Sequence, residues 1–328
     1  MKFLVTGGCG FIGSNFIYRI IKKYPTIQII NIDSMTIGSN IQNFKKFHSK
    51  NYTFVKGDIC NNTLMKKLIK KVDYVINFAA ESHVDRSIFN SDTFLKSNIL
   101  GVHNILEILR ENKKVRFLQI STDEVYGESL EKNCVESDEL NPSNPYSATK
   151  AASEMLVRSY VKTYGLNAKI TRCTNNFGPR QFPEKLIPKI IISAIKNEKI
   201  PVHGDGLSKR QWIHVFDHCD AIEKIILKWP KSLIYNISGN FETTNIDIIK
   251  KILNKMKKPE NLITFVSDRP GQDRGYRVNA NLIKKDTGFK PIMPPKKSLD
   301  ETIDWYIQNK TWWGIIPFEK IKNPTPWK

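Results

Sequence analysis

The sequence predicts a doubly wound α/β fold, a parallel sheet covered by helices on both faces, with a smaller mixed α/β lobe nearer the carboxyl terminus. From residue 2 to about residue 174, short apolar runs typical of strands alternate with amphipathic stretches typical of helices. This alternation indicates a parallel sheet whose strands are joined by right-handed crossovers. After residue 174, prolines and glycines interrupt the pattern and the elements become shorter. We therefore expect two interleaved lobes, over residues 1–174 and 175–328.

The individual elements follow from the spacing of the apolar residues. In the first lobe we expect strands at Lys2–Thr6, Ile27–Asp33, Tyr52–Lys56, Tyr74–Phe78, Val115–Ser121 and Asn167–Thr174. Apolar residues at helical spacing predict helices in the same lobe at Phe11–Lys23, Phe94–Glu111 and Tyr146–Tyr164. In the second lobe we expect strands at Leu233–Ser238 and Ile263–Ser267, and helices near Asn245–Met256 and Ser298–Asn309.

The composition narrows the class of protein. With 40% apolar and 25% charged residues, the chain of 328 residues has the usage of a globular protein with a core of its own. Its five cysteines are scattered and odd in number, which argues for a reducing compartment and against a disulfide framework. No apolar run reaches the ~20 residues of a membrane-spanning helix, and the chain begins directly with a strand. We expect a cytoplasmic protein with no membrane partner.

The net charge of +19 allows two interpretations. A strongly basic chain can bind nucleic acid. Here, however, the lysines occur in ones and twos, as at Lys22-Lys23 and Lys66-Lys67, and not in one long basic block. This distribution favours solvated helix faces. We therefore expect no nucleic-acid partner, although the charge favours small anionic substrates.

A glycine-rich segment follows the first predicted strand and opens the first helix. It reads Gly7-Gly8-Cys9-Gly10-Phe11-Ile12-Gly13, and its spacing allows a tight turn and close approach of the backbone to a pyrophosphate at a helix amino terminus. Asp33 ends the second strand about 20 residues later, where a carboxylate suits a ribose diol and favours NAD over NADP. The sequence thus predicts a Rossmann-type NAD site that includes Gly7, Gly10, Phe11, Ile12, Gly13 and Asp33.

Two further segments follow strands at the same edge of the predicted sheet. Asp58 and Ile59, after the third strand, suit either the adenine edge of the cofactor or an ordinary helix cap, and the spacing does not separate the two. After the fourth strand, the small residues Ala79, Ala80 and Ser82 would let the cofactor approach the backbone.

Tyr146 and Lys150 lie one helical turn apart, at the predicted start of a helix after Pro145, and therefore share a face. An ammonium group and a cationic nicotinamide nearby would lower the pKa of the tyrosine from its usual value near ~10. Its phenolate could then accept a hydroxyl proton. The alternative is an amphipathic helix with a half-buried tyrosine, which the neighbouring dinucleotide site disfavours.

Thr122, Asp123 and Glu124 follow the apolar run 115–120 at the end of the fifth predicted strand. Ligands bind at the carboxyl ends of parallel strands, and two adjacent carboxyls there indicate a proton donor and a proton acceptor. Because neighbouring residues on a straight strand point to opposite faces, both carboxyls can serve one pocket only if the backbone turns. We expect that turn near residues 125–127, and we expect Asp123 to stay protonated because of burial and the charge of Glu124. The alternative is a polar strand end that caps a helix.

The glycine segment and the Tyr146-x-x-x-Lys150 pair resemble the extended short-chain dehydrogenase/reductase family. Within that family, the chain closely resembles the nucleoside-diphosphate-glucose 4,6-dehydratases from residue 1 to about residue 313. The segments that carry this second resemblance are Ser121–Gly127, Ala79–Ser87, Asn175–Pro179, Glu184–Pro188 and Arg210–Trp212.

The resemblance implies a reaction and roles for its residues. The C4 hydroxyl of a nucleotide-linked glucose is oxidised with bound NAD as acceptor, Tyr146 as base, Lys150 beside it and Thr122 as hydrogen-bond partner. Glu124 resembles the base that removes the C5 proton, and Asp123 resembles the acid that protonates the departing C6 hydroxyl, before hydride returns to C6. The product is a 4-keto-6-deoxy sugar nucleotide, a precursor of a deoxyhexose such as rhamnose. The resemblance also implies a homodimer.

A set of substrate contacts is expected at His83, Thr122, Asn175, Lys185, Arg210, Arg269 and Asp273, although His83 alternatively only follows the fourth strand. Two residues depart from the family pattern: Gln272 stands where relatives usually carry histidine, and Gly275 stands where arginine is common. Because this segment is expected near the nucleoside, dTDP-glucose and UDP-glucose both remain open as substrates.

Two other functions also remain open. A sugar-nucleotide 4-epimerase of the same family would share Tyr146, Lys150 and the glycine segment, but it has no use for an acid–base pair at positions 123 and 124. A non-catalytic nucleotide-sensing or nucleic-acid-binding protein is supported only by the charge. His214 and His218 are spaced like zinc ligands on a helix, but no third ligand is evident nearby, and we expect no metal.

Overall fold

A computed structural model describes residues 1–45, 47–239 and 241–316. Its strands are β1 (Lys2–Thr6), β2 (Gln28–Asp33), β3 (Tyr52–Lys56), β4 (Tyr74–Asn77), β5 (Arg116–Thr122), β6 (Ala168–Cys173), β7 (Asn175–Phe177), β8 (Ile200–His203), β9 (Lys209–His214), β10 (Ile234–Ile237), β11 (Phe241–Thr244), β12 (Ile263–Val266) and β13 (Gly275–Tyr276). Seven of them form one parallel sheet in the order β3-β2-β1-β4-β5-β6-β10. The predicted doubly wound α/β fold is therefore confirmed.

The helices are α1 (Phe11–Lys23), α2 (Asn62–Ile69), α3 (Val84–Phe89), α4 (Asp92–Phe94), α5 (Gly101–Glu111), α6 (Pro145–Tyr164), α7 (Leu186–Lys196), α8 (Val215–Lys228), α9 (Asn245–Lys255), α10 (Asn281–Thr287), α11 (Pro295–Gln308) and α12 (Lys310–Gly314). A π-helical segment, Leu95–Leu100, joins α4 to α5, so that the stretch predicted as one helix is continuous but not regular. No helix among the described residues is both long and apolar enough to cross a membrane.

Alternation along the strands places the two faces of the sheet in separate cores. Phe3 and Val5 of β1 belong to one buried apolar cluster, which α1, α8 and α10 cover. Leu4 of the same strand belongs to the opposite cluster, which α2, α5 and α6 cover. Because successive side chains on a strand point to opposite faces, a strand buried on both sides has to be apolar throughout. The near-continuous apolar runs in the sequence reflect this requirement.

One predicted element lies elsewhere than expected. The strand at Leu233–Ser238 was expected in the smaller lobe, but β10 is the seventh strand of the main sheet and pairs in parallel with β6, with Ile234 opposite Ile170. The chain returns because β6 leaves a free sheet edge and because Tyr235 and Ile237 of β10 complete the core beneath α8 and α10. A single boundary near residue 174 does not separate the two layers. The division into two lobes stays a prediction, and residues 317–328 of its second lobe lie outside the described part of the chain.

The smaller lobe has its own sheets and core. Strands β11, β9 and β13 lie side by side, β7 also pairs with β9, and β12 pairs with β8 in a separate two-stranded sheet. Residues of α7, α9, α11 and α12 pack together in a third apolar cluster. The short strands β7, β8, β9, β11 and β13 were not predicted, because runs this brief carry little periodic signal.

Candidate active site

A cavity of about 380 Å³ opens at the carboxyl ends of the parallel strands. Its walls come from the loops that follow β1, β2, β4 and β5, and from the start of α6. Strands β1 and β4 are neighbours at its centre, which is the switch point where an open α/β sheet binds ligands. Every residue predicted to act in catalysis or to bind the cofactor lines this cavity.

The glycine loop is packed so closely that side chains would not fit in it. Gly7 has a φ of +67°, and a Cβ there would lie 2.6 Å from the backbone nitrogen of Ala79. A Cβ at Gly13 would lie 2.6 Å from the carbonyl oxygen of Gly7. Gly10 caps α1 without a side-chain hydrogen bond, which leaves the first amide groups of the helix to other partners. Such a cradle fits the pyrophosphate of a dinucleotide.

Asp33 also holds two loops of the site in place, which the sequence did not predict. Its carboxylate accepts hydrogen bonds from the backbone nitrogen of Cys9 at 2.9 Å, from that of Met35 at 2.8 Å and from the hydroxyl of Ser39 at 2.7 Å. These bonds fix the glycine loop and the loop after β2 around one buried carboxylate. Since a carboxylate has about four acceptor positions, Asp33 retains capacity toward the cavity that it lines.

The two interpretations of Asp58 are now separated. The cap of α2 is Asn61, whose side chain accepts a hydrogen bond from the backbone nitrogen of Leu64 at 3.0 Å, so the cap interpretation of Asp58 is wrong. Asp58 lines the cavity together with Lys96, and the two side chains form an ion pair at 3.3 Å. Sequence reasoning missed Lys96, which no local pattern marks.

Tyr146 and Lys150 occupy the first two turns of α6 and are both buried. The helix begins at Pro145, and the Asn144 side chain caps it by accepting a hydrogen bond from the backbone nitrogen of Ser147 at 3.0 Å. Lys150 donates from Nζ to the carbonyl oxygen of Ile120 at 2.7 Å, which ties the helix to β5. The helical spacing therefore brings both side chains to one wall of the cavity.

The electrostatics of this pair differ in part from the prediction. Burial lowers the pKa of Lys150 to about 8. Burial and the charge of Glu124 hold the pKa of Tyr146 well above its usual range, and the Thr122 hydroxyl offsets this only in part. The predicted fall in the pKa of Tyr146 depends on a neighbouring ammonium and a bound cationic nicotinamide, and it stays a prediction. Because the carboxylates nearest the phenol oppose its ionisation, that fall requires the positive charge of a bound nicotinamide.

The backbone turns immediately after β5, as the shared use of two adjacent carboxyls requires. Asp123–Tyr126 form a 3₁₀ turn, and the Thr122 hydroxyl caps it by accepting a hydrogen bond from the backbone nitrogen of Glu124 at 3.3 Å. Gly127 closes the turn with a φ of +73°, where a Cβ would lie 2.0 Å from the carbonyl oxygen of Asn141. Asp123 and Glu124 consequently line the same cavity.

The surroundings of Asp123 favour its protonated form. Asp123 is 2% exposed, and burial together with the charge of Glu124 raises its pKa to about 8. Asp123 Oδ2 and Glu124 Oε2 have no hydrogen-bond partner within the described residues, and neither do Ser121 Oγ and Asn175 Oδ1 beside them. Buried polar atoms normally find partners. Four such atoms around one cavity indicate a polar ligand there.

The predicted substrate contacts divide into two groups. Asn175 and Lys185 line the cavity, and Lys185 Nζ donates to the carbonyl oxygen of Ser82 at 2.6 Å. Burial lowers the pKa of Lys185. His83 lies outside the lining: it caps α3 by accepting a hydrogen bond from the backbone nitrogen of Arg86 at 3.4 Å, which favours the alternative that His83 only follows the strand.

Arg210, Arg269 and Asp273 also lie behind the cavity wall. Arg210 stacks on the Tyr276 ring, 4.7 Å from its centroid, and donates to the carbonyl oxygen of Asp273 at 3.0 Å. The positive charge of Arg210 lowers the pKa of Asp123 and so partly opposes the effect of burial. Arg269 is ion-paired with Asp85 at 3.0 Å. Arg210 thus acts on Asp123 through its charge, and direct contact of either arginine with a substrate remains a prediction.

The two histidines that are spaced like zinc ligands have local partners. His214 caps α8 and accepts a hydrogen bond from the backbone nitrogen of Phe216 at 3.4 Å. His218 is buried, with Nδ1 2.9 Å from Asn176 Oδ1. The described residues contain no group of three His, Cys, Asp or Glu side chains placed to hold a metal ion.

Sequence reasoning missed one charged cluster at the mouth of the site. Arg86 of α3 pairs with Glu81 at 2.8 Å and with Glu184, just before α7, at 3.2 Å. Glu81 and Glu184 both line the cavity, so Arg86 joins the two lobes at its rim. Glu81 and Glu184 lie in two of the segments that carry the family resemblance, but no local pattern in the sequence indicates that Arg86 pairs with both.

The fold and this cavity define a dinucleotide-dependent enzyme of the short-chain dehydrogenase/reductase type, in which a tyrosine and a lysine one helical turn apart lie beside a glycine-rich loop. The chain belongs to the GDP-mannose 4,6 dehydratase family, whose model matches residues 4–303.

Individual relatives within this class are dTDP-glucose 4,6-dehydratases. The chain is 38% identical over 329 residues to the dTDP-glucose 4,6-dehydratase of Streptomyces niveus, covering 99% of this chain and 96% of the relative. It is similar in structure to DesIV, a dTDP-glucose 4,6-dehydratase of Streptomyces venezuelae solved with NAD bound, with a TM-score of 0.93, 36% identity and coverage of 98% and 100% of the two chains.

An epimerase of similar fold is the more distant match. The UDP-glucuronic acid 4-epimerase of Bacillus cereus, solved with UDP-glucuronic acid and NAD, has a TM-score of 0.88 and 25% identity, covering 94% of this chain and 99% of the epimerase. The lower identity at nearly equal coverage separates this epimerase from the dehydratases above.

Proposed function

We propose that the protein is a sugar-nucleotide 4,6-dehydratase, a hydro-lyase that converts dTDP-glucose or UDP-glucose into the 4-keto-6-deoxy-glucose nucleotide. The sugar is oxidised at C4, loses water across C5 and C6, and is reduced at C6, with no net redox change. The observation that carries the proposal is that a buried tyrosine–lysine pair, the buried carboxyl of Asp123 and the partly buried carboxyl of Glu124 line one cavity beside a dinucleotide loop. Membership of the 4,6-dehydratase family supports it.

The cofactor is NAD, which the glycine loop, Asp33 and the small residues after β4 would hold. When bound, NAD supplies the hydride acceptor at the start of the cycle and the hydride donor at its end. The approach of Gly7 to Ala79, which leaves no room for a side chain, fits a pyrophosphate against the backbone. Asp33, already fixed by three hydrogen bonds, would accept from the ribose hydroxyls.

Tyr146 Oη would accept the proton of the sugar C4 hydroxyl, with Thr122 Oγ1 as its hydrogen-bond partner. Lys150 would contribute positive charge from the same helix face, held in place by its bond to Ile120. Because burial and Glu124 raise the pKa of Tyr146, the phenolate would form only when further positive charge enters the site. This requirement would couple the first proton transfer to a loaded cofactor site.

The carboxyl pair would then carry out the loss of water. A ketone at C4 acidifies the C5 proton, and the Glu124 carboxylate would remove it. Asp123, with a pKa raised to about 8, is protonated at neutral pH and would give its proton to the departing C6 hydroxyl. The charge of Glu124 suppresses the ionisation of Asp123, and two neighbouring carboxyl groups can therefore act as base and acid.

The test is incubation of the purified protein, in parallel, with dTDP-glucose and UDP-glucose, followed by mass spectrometry of the products. Loss of one water from either nucleotide sugar is the expected result. An unchanged mass together with a galactose isomer would instead establish the 4-epimerase, and no turnover with retention on nucleic acid at physiological salt would favour the non-catalytic alternative.

The choice of nucleobase rests on the segment that departs from the family pattern. Gln272 donates from Nε2 to the Ser208 hydroxyl at 3.1 Å and accepts from Arg269, so its amide is held inside the smaller lobe. Neither contact distinguishes thymine from uracil. The parallel incubation therefore compares kcat/KM for the two substrates.

We further propose a homodimer that pairs the helices on one side of the main sheet. The helices α5 and α6 pack against each other and cover one face of that sheet. Along them and the adjoining π-helical segment, Leu95, Leu100 and Met155 are exposed apolar side chains, which a second copy would cover. Light scattering on the purified protein is expected to give the mass of two chains, and a fully active monomer would contradict the proposal.

We also propose that the enzyme works in the cytoplasm. All five cysteines are free, and Cys9 and Cys173 line or adjoin the site in reduced form, which suits a reducing compartment. Fractionation of source cells that placed the protein outside the reducing compartment would contradict this.

A further inference from the structure

A fully buried charge lies behind the catalytic turn, and the proposed reaction does not use it. Arg172 is 0% exposed and is the penultimate residue of β6. Its register partners are Ser121 on β5, at the end of which the catalytic turn begins, and Asn236 on β10. Burying a guanidinium is costly unless it is ion-paired and hydrogen-bonded. The partners of Arg172 therefore indicate what the charge organises.

One side of the guanidinium holds the helix that carries the tyrosine–lysine pair. Arg172 donates from Nε and Nη2 to the same carboxylate oxygen of Glu154, at 2.9 Å and 2.7 Å. Glu154 is itself 0% exposed and lies on α6, one helical turn beyond Lys150. The orientation of α6 is thereby fixed against β6.

The other side of the guanidinium holds the turn that carries the carboxyl pair. Arg172 Nη1 donates to the Tyr126 hydroxyl at 2.7 Å, and the guanidinium lies 4.6 Å from the centroid of the Tyr126 ring. The same hydroxyl donates to Asn236 Oδ1 at 2.8 Å. Asn236 is anchored in turn, because its amide donates to the carbonyl oxygen of Cys134 at 3.0 Å. Tyr126 is the last residue of the 3₁₀ turn that begins at Asp123.

Given the proposed 4,6-dehydratase reaction, we propose that Tyr126 is a positioning residue, which through Arg172 and Asn236 holds Asp123 and Glu124 at the sugar ring. A turn of four residues with 3₁₀ hydrogen bonds is weakly self-supporting. Within the described part of the chain, the other hydrogen bond that ties this turn to a distant segment is a backbone bond, from Asn141 to Val125 at 3.0 Å, and Val125 and Tyr126 also pack in an apolar cluster. Tyr126 does not line the cavity, so its effect reaches the substrate only through the turn.

The proposal makes the two halves of the reaction separable. Without the Tyr126 hydroxyl the carboxyls lose their fixed place, while Tyr146 and Lys150 keep their helix and the bond to Ile120. Oxidation at C4 should persist and water loss should slow. Reduced nicotinamide would then build up on the enzyme during turnover, which a general loss of structure would not produce.

The experiment uses the full-length Tyr126→Phe variant with NAD bound and whichever nucleotide-glucose the wild type dehydrates. The expected result is a fall in kcat of about tenfold with KM unchanged within about twofold, since misplacement of a catalytic group by about 1 Å can cost up to about 10²-fold. Rapid mixing with substrate should show near-ultraviolet absorbance of reduced nicotinamide, which the wild type does not accumulate.

The matched control is Tyr74→Phe. Tyr74 is equally buried, accepts a hydrogen bond from Arg116 Nη1 at 2.5 Å, and has that guanidinium 5.4 Å from its ring centroid, but it lies at the amino end of β4. This variant should keep kcat within about twofold and show no accumulation, because it lies at the end of the sheet away from the site.

An unchanged kcat in Tyr126→Phe would overturn the proposal, and so would a fall in kcat without reduced nicotinamide, which would mean that oxidation suffers equally. Circular dichroism checks the fold of the variant. If the fold is lost, Asn236→Ala replaces it, because this substitution removes the hydrogen bond between Tyr126 and Asn236 from the other side.

If wild type removes no water from any nucleotide-glucose, the proposed function fails and the positioning proposal fails with it. The wild-type result therefore distinguishes the two failures.

Discussion

The tyrosine–lysine pair and the carboxyl pair line the same cavity, but they are held there in different ways. Tyr146 and Lys150 lie one turn apart on a capped helix, and the helix itself determines their relative position. Asp123 and Glu124 are adjacent in sequence on a four-residue turn, which distant residues of β6 and β10 support.

The difference shows how much of a catalytic geometry can be local. A helix of 20 residues positions two side chains with little outside help. A strand end would place two neighbouring carboxyls on opposite faces, and only the turn after β5 brings both to the cavity. The carboxyl pair should therefore depend more on its surroundings than the helical pair does.

The largest effect is expected when the helical pair loses its proton acceptor. Tyr146→Phe removes the only phenol lining the cavity among the described residues, and we expect kcat to fall about 10³-fold, in the middle of the range for a lost general base. Rapid mixing should show no reduced nicotinamide, because C4 oxidation itself is blocked. Tyr160→Phe on the same helix, whose hydroxyl donates to Glu107 outside the cavity, is the control and should retain activity within about twofold.

A smaller effect is expected for the acid of the carboxyl pair. Asp123→Asn removes the proton donor but keeps the shape, and we expect water loss to slow about 10²-fold while C4 oxidation continues. Reduced nicotinamide should accumulate, opposite to the result for Tyr146→Phe. A normal rate of water loss in this variant would contradict the role of Asp123 as acid.

The pH dependence of wild-type kcat tests whether Asp123 acts in its protonated form. Burial and Glu124 raise the pKa of Asp123 to about 8, so the acid is protonated below that pH and loses its proton above it. Lys150, with its pKa lowered to about 8, also loses its charge above that pH. Overall kcat should fall above about pH 8. In Asp123→Asn, the rate of water loss should no longer fall because of deprotonation at position 123. The rate of C4 oxidation should still fall above about pH 8, because Lys150 loses its charge there.

The smallest effect is expected from the cap of the catalytic helix. Asn144→Ala removes the side chain that accepts from the backbone nitrogen of Ser147, at a cost of about 1 kcal/mol in the free energy of unfolding. Because the spacing of Tyr146 and Lys150 belongs to the helix and not to its cap, kcat should change less than about threefold. Chemical denaturation and steady-state kinetics measure the two quantities, and a large loss of kcat would show that the helical pair is not locally determined.

Most of the main sheet and one half of the site could be predicted from the sequence. Strands β1 and β3 and helix α1 have the predicted bounds, because a turn-forming or helix-breaking residue soon follows each of them, at Gly7, Gly57 and Pro25. The place of β10 could not be predicted, since a short apolar strand does not specify which sheet edge it joins. The opposition of burial and Glu124 to the ionisation of Tyr146 could not be predicted for a related reason: Glu124 comes close to the phenol only in the folded chain.

By itself, the sequence determined the glycine loop, the acid at the end of β2, the helical spacing of the tyrosine and lysine, and the presence of two carboxyls at a strand end. Each of these follows from chemistry or geometry within a few neighbouring residues. The sequence led us to expect a shared pocket and a protonated Asp123, but only the tertiary structure shows the turn that brings both carboxyls to one cavity, the burial that raises the pKa of Asp123, and the support of the turn by Arg172. These depend on burial and on charges brought together from distant parts of the chain, and electrostatic effects of that kind exist only once water has been excluded.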